Sequence, residues 1–376
     1  MTAASRRPLP AAVDVPIRLT RVTAEDVLTV AGAAVAALGL TWVGFERVLP
    51  LSGAFGFWLC WYVLFLVFYI AVAGLQWSSL VVRDRAMGAL VSTGGLLACA
   101  VVAEQLGYSF IKGLPAISHP NFWTQTMGGA GPTSGLNVGG MVHAAVGSLE
   151  QIALASVMSV PLGITAALFL AEVGGRMERP VRTIVNAMTA LPSIVGGLLV
   201  YAVAILALGL PECGFAAALA LAIVMLPTVT RAAEVVLRVV PGTLREAAFA
   251  LGSSHWRVVW KVILPTARSG LTTAVVLAMA RGIGETAPVL LTAGLTAEMN
   301  ADPFHGWQAS LPTFIITYVL TEGEVHNFVI RAFGAGFALM LIVVVLFTVA
   351  RLLGGRRPGE LSKRQIRRLR RETARP

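Results

Sequence analysis

The chain has 376 residues, of which 56% are hydrophobic and only 13% are charged. A soluble domain carries about 25% charged residues, so the composition excludes an ordinary soluble protein and indicates a helical protein that crosses a membrane several times. The net charge of +10 does not indicate nucleic acid binding, because the basic residues lie in short segments between and after long apolar runs.

Eight apolar segments are long enough to be membrane spans, since roughly 20 apolar residues cross a hydrocarbon core as a helix. Residues 55–75, for example, contain no charged side chain. The polar segment before the first span is too long for a secretory signal, so we expect that span to be retained. The predicted spans are 27–45, 54–75, 87–107, 142–171, 183–209, 214–236, 267–295 and 328–352.

The distribution of Lys and Arg predicts the orientation of these spans. Basic residues are concentrated in the N-terminal tail, in alternate loops and in the C-terminal tail, whereas the opposite loops carry mainly Glu and Asp. The positive-inside rule therefore places both termini and the loop between the sixth and seventh spans in the cytoplasm. The basic C-terminal run indicates an anchor to anionic lipid, with a partner-binding tail as the alternative.

Two segments that precede this cytoplasmic loop in the sequence contain notable residues. The outer loop, roughly 108–141, contains Phe122 and Trp123, which indicate either an interfacial anchor or a dock for an extracytoplasmic partner. The fifth span contains Pro192, which predicts a kink, and Gly196 with Gly197, which favour close helix packing.

The cytoplasmic loop, residues 241–265, has the pattern of two short helices. Pro241 and Gly242 break the preceding span, and Thr243 with Glu246 three residues on has the spacing of a capping box. Gly252 is the usual type of residue at a helix end, so we expect the first helix to stop there.

A second short helix is predicted at about 254–263, closed by Pro265. Its spacing predicts one shared apolar face formed by Trp256, Val259, Trp260 and Ile263. Two short helices at an angle would form a compact knob on which a separate protein can dock. The alternative is an amphipathic helix on the membrane surface, which does not explain the glycine break.

The seventh span contains two charges, Arg281 and Glu285. Charged side chains near the bilayer centre cost on the order of 3 kcal/mol each, and they persist when they are paired or face a polar path. Their i, i+4 spacing predicts one shared helix face. Arg281 would serve as the counter-charge of a transported oxyanion, with Glu285 holding it otherwise. A structural ion pair that fixes helix packing is the alternative. Pro288 predicts a kink beside them.

The sequence contains no motif for binding a nucleotide, a metal or a cofactor. There is no G-x-x-x-x-G-K-[ST] sequence, so we expect any ATPase to be a separate polypeptide. The cysteines form no C-x-x-C pair and the histidines have no metal-ligand spacing, so we expect no metal and no cofactor in this chain. The histidines are His119, His143, His255, His305 and His326.

The run EAAFALGSSHWRVVWKVILP, residues 246–265, resembles the coupling loop of importer-type ABC permeases. Together with ARGIGETAPVLLTAG, residues 280–294, it closely resembles the PstA family, the permeases of phosphate-specific ABC importers. The resemblance covers about 80–353. Val262 stands where the general signature has Ile, and the first two spans have no counterpart in the usual six-span permease.

The resemblance implies an all-α, polytopic membrane protein with a type I ABC importer permease core and two extra N-terminal transmembrane helices, about eight spans in total. Its expected parts are the tail 1–26, the two-span segment 27–79, a first core span with its outer loop at 80–140, the ABC transmembrane type-1 domain 141–353, and the basic tail 354–376.

The resemblance also implies partners and residue roles. A PstC-like permease would share the phosphate path in the bacterial plasma membrane, two copies of a PstB-like ATPase would use ATP and Mg²⁺ below it, and a PstS-like protein would deliver inorganic phosphate. The coupling residues implied are Glu246, Ala247, Ala248, Gly252, Leu264 and Pro265. The implied path residues are Arg281, Glu285 and Thr286.

Four alternatives remain open from the residues. The first alternative is a permease for another oxyanion, such as sulfate or molybdate, because the guanidinium of Arg281 suits any of them. The second alternative is an ion-coupled secondary transporter, which should lack the coupling loop and work without an ATPase. A membrane-embedded enzyme needs a nucleophile with a base or a metal cluster, and the sequence shows neither. A signalling or scaffold role is compatible with transport.

Overall fold

The computed structural model describes residues 24–48, 53–321 and 325–354, and every regular element among them is a helix. The basic tail after Gly354 and nearly all of the predicted tail 1–26 lie outside the described residues. The helices are α1 Ala24–Val43, α2 Ala54–Gln76, α3 Ser79–Ile117, α4 Pro120–Thr124, α5 Val142–Leu168, α6 Glu178–Ala190, α7 Ser193–Val200, α8 Gly214–Arg238, α9 Gly242–Ala250, α10 His255–Val258, α11 Leu264–Gly282, α12 Ala287–Ala293, α13 Leu311–Ile316 and α14 His326–Gly354. Wider π turns follow α1, α5, α7, α10 and α13, at Gly44–Val48, Phe169–Val173, Tyr201–Ala207, Val259–Ile263 and Thr317–Thr321.

Seven helices in the described part of the chain are long and apolar enough to cross a membrane. An eighth crossing results if the bent pair Glu178–Ala190 and Ser193–Ala207 is one span, which gives the number predicted from the sequence. The seven are Ala24–Arg47, Ala54–Leu75, Ser79–Ile117, Val142–Val173, Gly214–Arg238, His255–Gly282 and His326–Leu352.

The chain divides into two compact units, Met1–Glu104 and Gln105–Pro376. In the first, α1 packs against α2 through small residues: Ala33 and Ala37 of α1 are buried, as is Ala73 of α2. Small side chains let two helices approach closely in a membrane, where packing rather than hydrophobicity drives association. The indole Nε1 of Trp61 donates to the carbonyl of Ala34 at 3.1 Å, which fixes the register of the pair.

In the second unit, α8 is the central helix, packed against α5, α6, α7, α11 and α12. Its inner face is rich in alanine, and Ala216, Ala217 and Ala218 are fully buried. A Cβ on Gly163 of α5 would meet Val229 of α8 at 2.7 Å, so this glycine permits the close contact between α5 and α8. This core positions the segments that carry the candidate functional residues.

The fifth predicted span, 183–209, is not one continuous helix. The chain bends by 104° between Glu178–Ala190 and Ser193–Ala207. Leu191 is extended and Pro192 begins the next helix as its N-cap, because a residue before proline is disfavoured in the helical region. The predicted kink at Pro192 is therefore present, and it is much sharper than the kink of an intact helix.

The predicted boundaries around residues 254–295 are wrong in two places. No separate helix is closed by Pro265, because one continuous helical segment runs over His255–Gly282 with Pro265 in the first turn of α11. The π turn Val259–Ile263 precedes the proline, and such a turn accommodates a ring that lacks an N–H. The helix then stops at Gly282 and resumes at Ala287, so the predicted span 267–295 is broken.

Candidate functional site

The first half of the loop 241–265 forms the short helix α9, Gly242–Ala250. Pro241 is its N-cap and no side chain caps it, so the predicted capping box of Thr243 and Glu246 is wrong. The helix begins at Gly242, which places Thr243 inside the first turn, where its hydroxyl is not at the capping position.

The end of α9 agrees with the sequence prediction. Gly252 has a φ of +75°, a left-handed conformation that side chains with a Cβ adopt at a cost. The N–H of Gly252 donates to the carbonyl of Phe249 at 2.9 Å, and that of Ser253 donates to Ala248 at 3.1 Å. These two bonds form a Schellman motif, which ends the helix and turns the chain toward α10.

No residue of α9 is buried in this chain. Glu246 and Ala247 are exposed, Ala248 is half-buried, and the apolar side chains of Leu244 and Phe249 are 42% and 45% exposed. A helix that exposes apolar side chains next to charged ones is typical of a surface that another protein covers.

The second half of the loop does not form the single apolar face predicted for it. Val259 and Ile263 are 2% and 1% exposed, whereas Trp256 and Trp260 are 66% and 61% exposed. Because α10 continues into α11, Val259 and Ile263 pack in a core cluster with residues of α5 and α8, and the two indoles lie on another face. The last two residues implied for coupling differ from each other in exposure, since Leu264 is half-buried and Pro265 is exposed.

One ion pair joins α9 to the rest of the unit. The Nη2 of Arg245 lies 2.8 Å from the Oε1 of Glu172 and donates to the carbonyl of Leu237 at 3.0 Å. The side chain of Glu172, in the π turn after α5, is only 7% exposed. Sequence reasoning missed this pair, and the available signal was a lone carboxylate at the end of an apolar span.

A second buried carboxylate, Glu234 of α8, was also missed. Its oxygens lie 2.9 Å from Arg182, 3.3 Å from Arg231 and 2.8 Å from Arg238, and its side chain is 5% exposed. Arg182 in addition pairs with Glu178 at 2.9 Å. Two of the three contacts to Glu234 come from its own helix at i−3 and i+4, a spacing that was readable in the sequence. The cluster fixes α6 against the C-terminal part of α8.

The predicted pair of Arg281 and Glu285 lies at the break after α11. Their closest atoms, Nε and Oε1, are 4.0 Å apart, so the charges approach each other without a short hydrogen bond. Glu285 lies in the non-helical stretch before α12, and the predicted shared helix face is therefore wrong. The side chain of Arg281 is 55% exposed and that of Glu285 is 17% exposed. Thr286 is the N-cap of α12 and its side chain caps no backbone N–H.

The break after α11 packs against the bend before α7. Arg281 lines a small recess together with Thr189, Pro192 and Thr228. A Cβ on Gly197 would come 2.6 Å from the Pro288 Cα, so α7 and α12 approach closely beside that recess. The structure therefore brings Arg281 next to the polar residues of the fifth span, which the sequence had not connected with it.

A polar cluster closes the other end of α5. Gln308 is 1% exposed, and its Nε2 donates to Glu150 at 2.6 Å and to the carbonyl of Asn300 at 3.1 Å. Its Oε1 accepts from the Nε2 of Gln151 at 3.1 Å. A Cβ on Gly214 would collide with that Oε1, so a side chain at this position would displace the amide of Gln308. These contacts fix the loop before α13 on α5 and α8.

The same loop is stabilised by local turns. The backbone N–H of Phe304 and the ring of His305 hold the pKa of Asp302 below its ordinary value, with the backbone contact as the larger cause. Trp307 donates from its Nε1 to Glu212 at 2.9 Å, which attaches the loop to the segment before α8. The loop is thus an ordered part of the second unit.

The model of the family described as "Binding-protein-dependent transport system inner membrane component" matches residues 159–357, which is more than half of the chain. The phosphate transport system permease protein PstA 1 of Mycobacterium tuberculosis (strain CDC 1551 / Oshkosh) is 40% identical over 243 residues, 64% of this chain and 79% of that protein. The chain belongs to the PstA family. The residues matched by the family model, 159–357, include the broken helices and the segment 241–265 that carry the candidate site.

Other PstA relatives match over a similar share of the chain. PstA of Mycobacterium leprae (strain TN) is 39% identical over 269 residues, 70% of this chain and 87% of that protein. PstA of Pasteurella multocida (strain Pm70) is 34% identical over 240 residues, 63% of this chain and 82% of that protein.

Solved structures of ABC importers are also similar to this PstA-family chain. The inward-facing MetNI methionine ABC transporter matches at 19% identity with a TM-score of 0.45, over 57% of this chain and 92% of that one. A bacterial ABC transporter that imports the acidic polysaccharide alginate matches at 14% identity with a TM-score of 0.41, over 72% and 96%. The chain is an all-helical ABC permease, a transport component and a multi-pass membrane protein.

Proposed function

We propose that the chain is the permease subunit of an ATP-driven importer of inorganic phosphate. Curated relatives at 34–40% identity are phosphate transport system permease proteins, which supports phosphate as the substrate. The chain forms the translocation path together with a PstC-like permease, and a PstS-like binding protein delivers phosphate from outside. Both termini lie in the cytoplasm of a bacterial cell, as the distribution of Lys and Arg indicates.

The observation that carries this proposal is Arg281. Its guanidinium belongs to the last turn of an apolar helix, yet its side chain is 55% exposed in the isolated chain. Leaving a charge of this kind in hydrocarbon costs on the order of 3 kcal/mol, so the exposed face needs a polar path or a partner permease. Guanidinium binds oxyanions through two parallel N–H donors, which suits phosphate.

Glu285 and Thr286 complete the proposed path segment. Glu285 lies 4.0 Å from Arg281, close enough to neutralise part of its charge but too far for a short hydrogen bond. An arriving oxyanion can therefore bind the guanidinium without first displacing a tight carboxylate contact. Because Thr286 lies in the broken segment and caps nothing, its hydroxyl is available to the same anion.

Coupling to a PstB-like ATPase proceeds through the segment 241–265. The exposed α9 carries Glu246, Ala247 and Ala248, and Gly252 shapes its end. In the assembled transporter the ATPase covers α9 and uses ATP and Mg²⁺, and this chain performs no chemistry. ATP binding moves α9, and the attached spans alternate between outward and inward access. Leu264 and Pro265 begin α11 and carry that movement toward Arg281.

The test is uptake of labelled phosphate at micromolar concentration in cells that lack the chain, with sulfate and molybdate as parallel substrates. Selective loss of phosphate uptake, restored by the wild-type chain, is the expected result. Selective loss of sulfate or molybdate uptake would show that the substrate is that oxyanion and not phosphate, and the chain would still be an ABC permease. Uptake that persists without the ATPase would contradict ATP-driven transport and favour an ion-coupled transporter.

A further inference from the structure

Arg245 joins three elements at the cytoplasmic end of the second unit. It lies in α9, its Nη2 contacts Glu172 of the π turn after α5 at 2.8 Å, and the same atom donates to Leu237 of α8 at 3.0 Å. Among the described residues, no other side chain of α9 takes part in an ion pair or in a side-chain hydrogen bond. The guanidinium is therefore the polar attachment between α9 and the membrane helices.

The environment of the pair makes this attachment stiff. The side chain of Glu172 is 7% exposed and that of Arg245 is 24% exposed, so water screens their attraction far less than it screens a surface pair. The Nε of Arg245 is buried and has no hydrogen-bond partner among the described residues, so Glu172 and Leu237 are the polar contacts that hold this side chain. Separating the two charges would leave a carboxylate buried without its partner, which is unfavourable, so α9 and the end of α5 are expected to move together.

The helix that receives the contact reaches the opposite side of the unit. Glu150, near the other end of α5, accepts a hydrogen bond from Gln308 at 2.6 Å, and Gln151 next to it donates to the same side chain at 3.1 Å. Twenty-two residues separate Glu150 from Glu172, which corresponds to about 33 Å of helix. One helix thus connects the attachment of α9 with the polar cluster that fixes the outer loop.

We propose that Arg245 and Glu172 are the joint that transmits the movement of α9 to α5, and that they are positioning residues for coupled transport. This inference rests on the proposed function, because it assumes that an ATPase moves α9. Neither side chain contacts the transported anion in this proposal. Their role is to convert a displacement of α9 into a displacement of α5, instead of letting α9 slide along the surface.

The experiment compares variants in the complete assembly, with permease partner, ATPase and binding protein reconstituted in liposomes. Phosphate transported and ATP hydrolysed are measured on the same samples, and co-purified ATPase is quantified. In Arg245→Gln and Glu172→Gln, the amount of bound ATPase is expected to stay at the wild-type level. Phosphate transported per ATP hydrolysed is expected to fall about tenfold, the size of a typical coupling between two sites.

A charge exchange, Arg245→Glu combined with Glu172→Arg, separates coupling from folding. It restores the pair with inverted polarity, so transport per ATP is expected to exceed that of both single variants. The matched control is Arg268→Gln, an exposed arginine of α11 outside the segment 241–265, which should leave the ratio unchanged. If the single variants do not accumulate, the exchanged variant is compared with the wild-type chain, and a ratio about tenfold below wild type would then contradict the proposed joint.

The outcomes distinguish this inference from the proposed function. A wild-type ratio of phosphate transported to ATP hydrolysed in either single variant would contradict the proposal that Arg245 and Glu172 transmit the movement. So would an exchanged variant that assembles with the ATPase but transports no better than the single variants. A wild-type assembly that hydrolyses ATP without transporting phosphate would instead contradict the proposed function, irrespective of the variants.

Discussion

Gly197 of α7 lies directly against Pro288 of α12, where a Cβ on the glycine would come 2.6 Å from the Pro288 Cα. This contact joins the two places where the membrane helices are interrupted, the bend at Leu191 and Pro192 and the break after Gly282. The recess that contains Arg281 lies beside it. The position of the candidate anion site therefore depends on a glycine, a residue that has no side chain to contact the anion.

Replacing Gly197 with Ala is expected to destabilise the protein by about 1–3 kcal/mol, since overpacking a tight contact forces the backbone apart. Phosphate uptake should fall as well, because the shift moves α12 away from the bend. The measurement is the thermal unfolding midpoint of the purified protein in detergent, together with uptake in cells. Gly196→Ala is the matched control, because its Cβ would meet Val224 at an ordinary 3.4 Å. Equal stability of the two variants would contradict the proposed close contact.

Gly252 is required for its conformation and not for space, since its φ is +75° and a Cβ there would meet no atom within 4 Å. Gly252→Ala should cost about 1–2 kcal/mol locally, because a left-handed residue with a Cβ is strained. The end of α9 would then be displaced, and co-purified ATPase and its stimulation should decrease. Gly242→Ala is the control, because Gly242 begins α9 and also has open space around it. Unchanged ATPase binding and stimulation in Gly252→Ala would argue against α9 as the docking element.

The seven long apolar helices of the described residues could be located from the sequence because apolar length is a local property. The geometry of the two helix interruptions, at Pro192 and after Gly282, could not be predicted from the sequence. Pro192 and Pro288 indicated where helices weaken, but not the 104° bend, beside which α7 packs against α12, a helix far from it in sequence. The capping prediction at Thr243 failed for a local reason, because Pro241 occupies the N-cap position.

The candidate site was predictable only in part. Arg281 and Glu285 were found because charges are rare within apolar segments. Their predicted shared helix face was wrong, since α11 ends at Gly282, between the two residues. Glu172 was missed because its partner, Arg245, is 73 positions away and only the fold brings them together. The separation of the tryptophans from Val259 and Ile263 likewise follows from the continuity of α10 with α11.

Glu234 is expected to stabilise the packing of α6 against the C-terminal part of α8, because its carboxylate compensates three arginines. Glu234→Gln should lower the free energy of unfolding by about 1–3 kcal/mol, less than for a fully buried pair because water reaches the guanidinium groups. Chemical denaturation of the purified protein in detergent measures this change. Glu178→Gln is the matched control, since the side chain of Glu178 is 38% exposed and pairs, among the residues that the structure describes, with Arg182 alone. A loss of the same size in both variants would show that the central position of Glu234 is unimportant.

The last prediction concerns the charges of the anion path. Arg281→Ala should abolish phosphate uptake while the protein still inserts and accumulates, because a half-exposed arginine with a long ion-pair contact contributes little to packing. Glu285→Gln should also reduce uptake, since the carboxylate that holds the guanidinium in place is lost. Arg281→Lys keeps the charge but loses the two parallel donors, so an intermediate rate is expected.

The measurement is uptake of labelled phosphate, normalised to membrane-inserted protein quantified by immunoblot. Arg268→Ala provides the control for removal of an exposed arginine from the same helix, and it should transport normally. Normal uptake by Arg281→Ala would leave the pair a purely structural contact, and the path would then have to run elsewhere in the assembly. Loss of uptake in Arg281→Ala accompanied by loss of inserted protein would favour that same structural role. The Arg281→Lys variant decides this case, because a structural pair needs only the charge and a phosphate site needs the guanidinium.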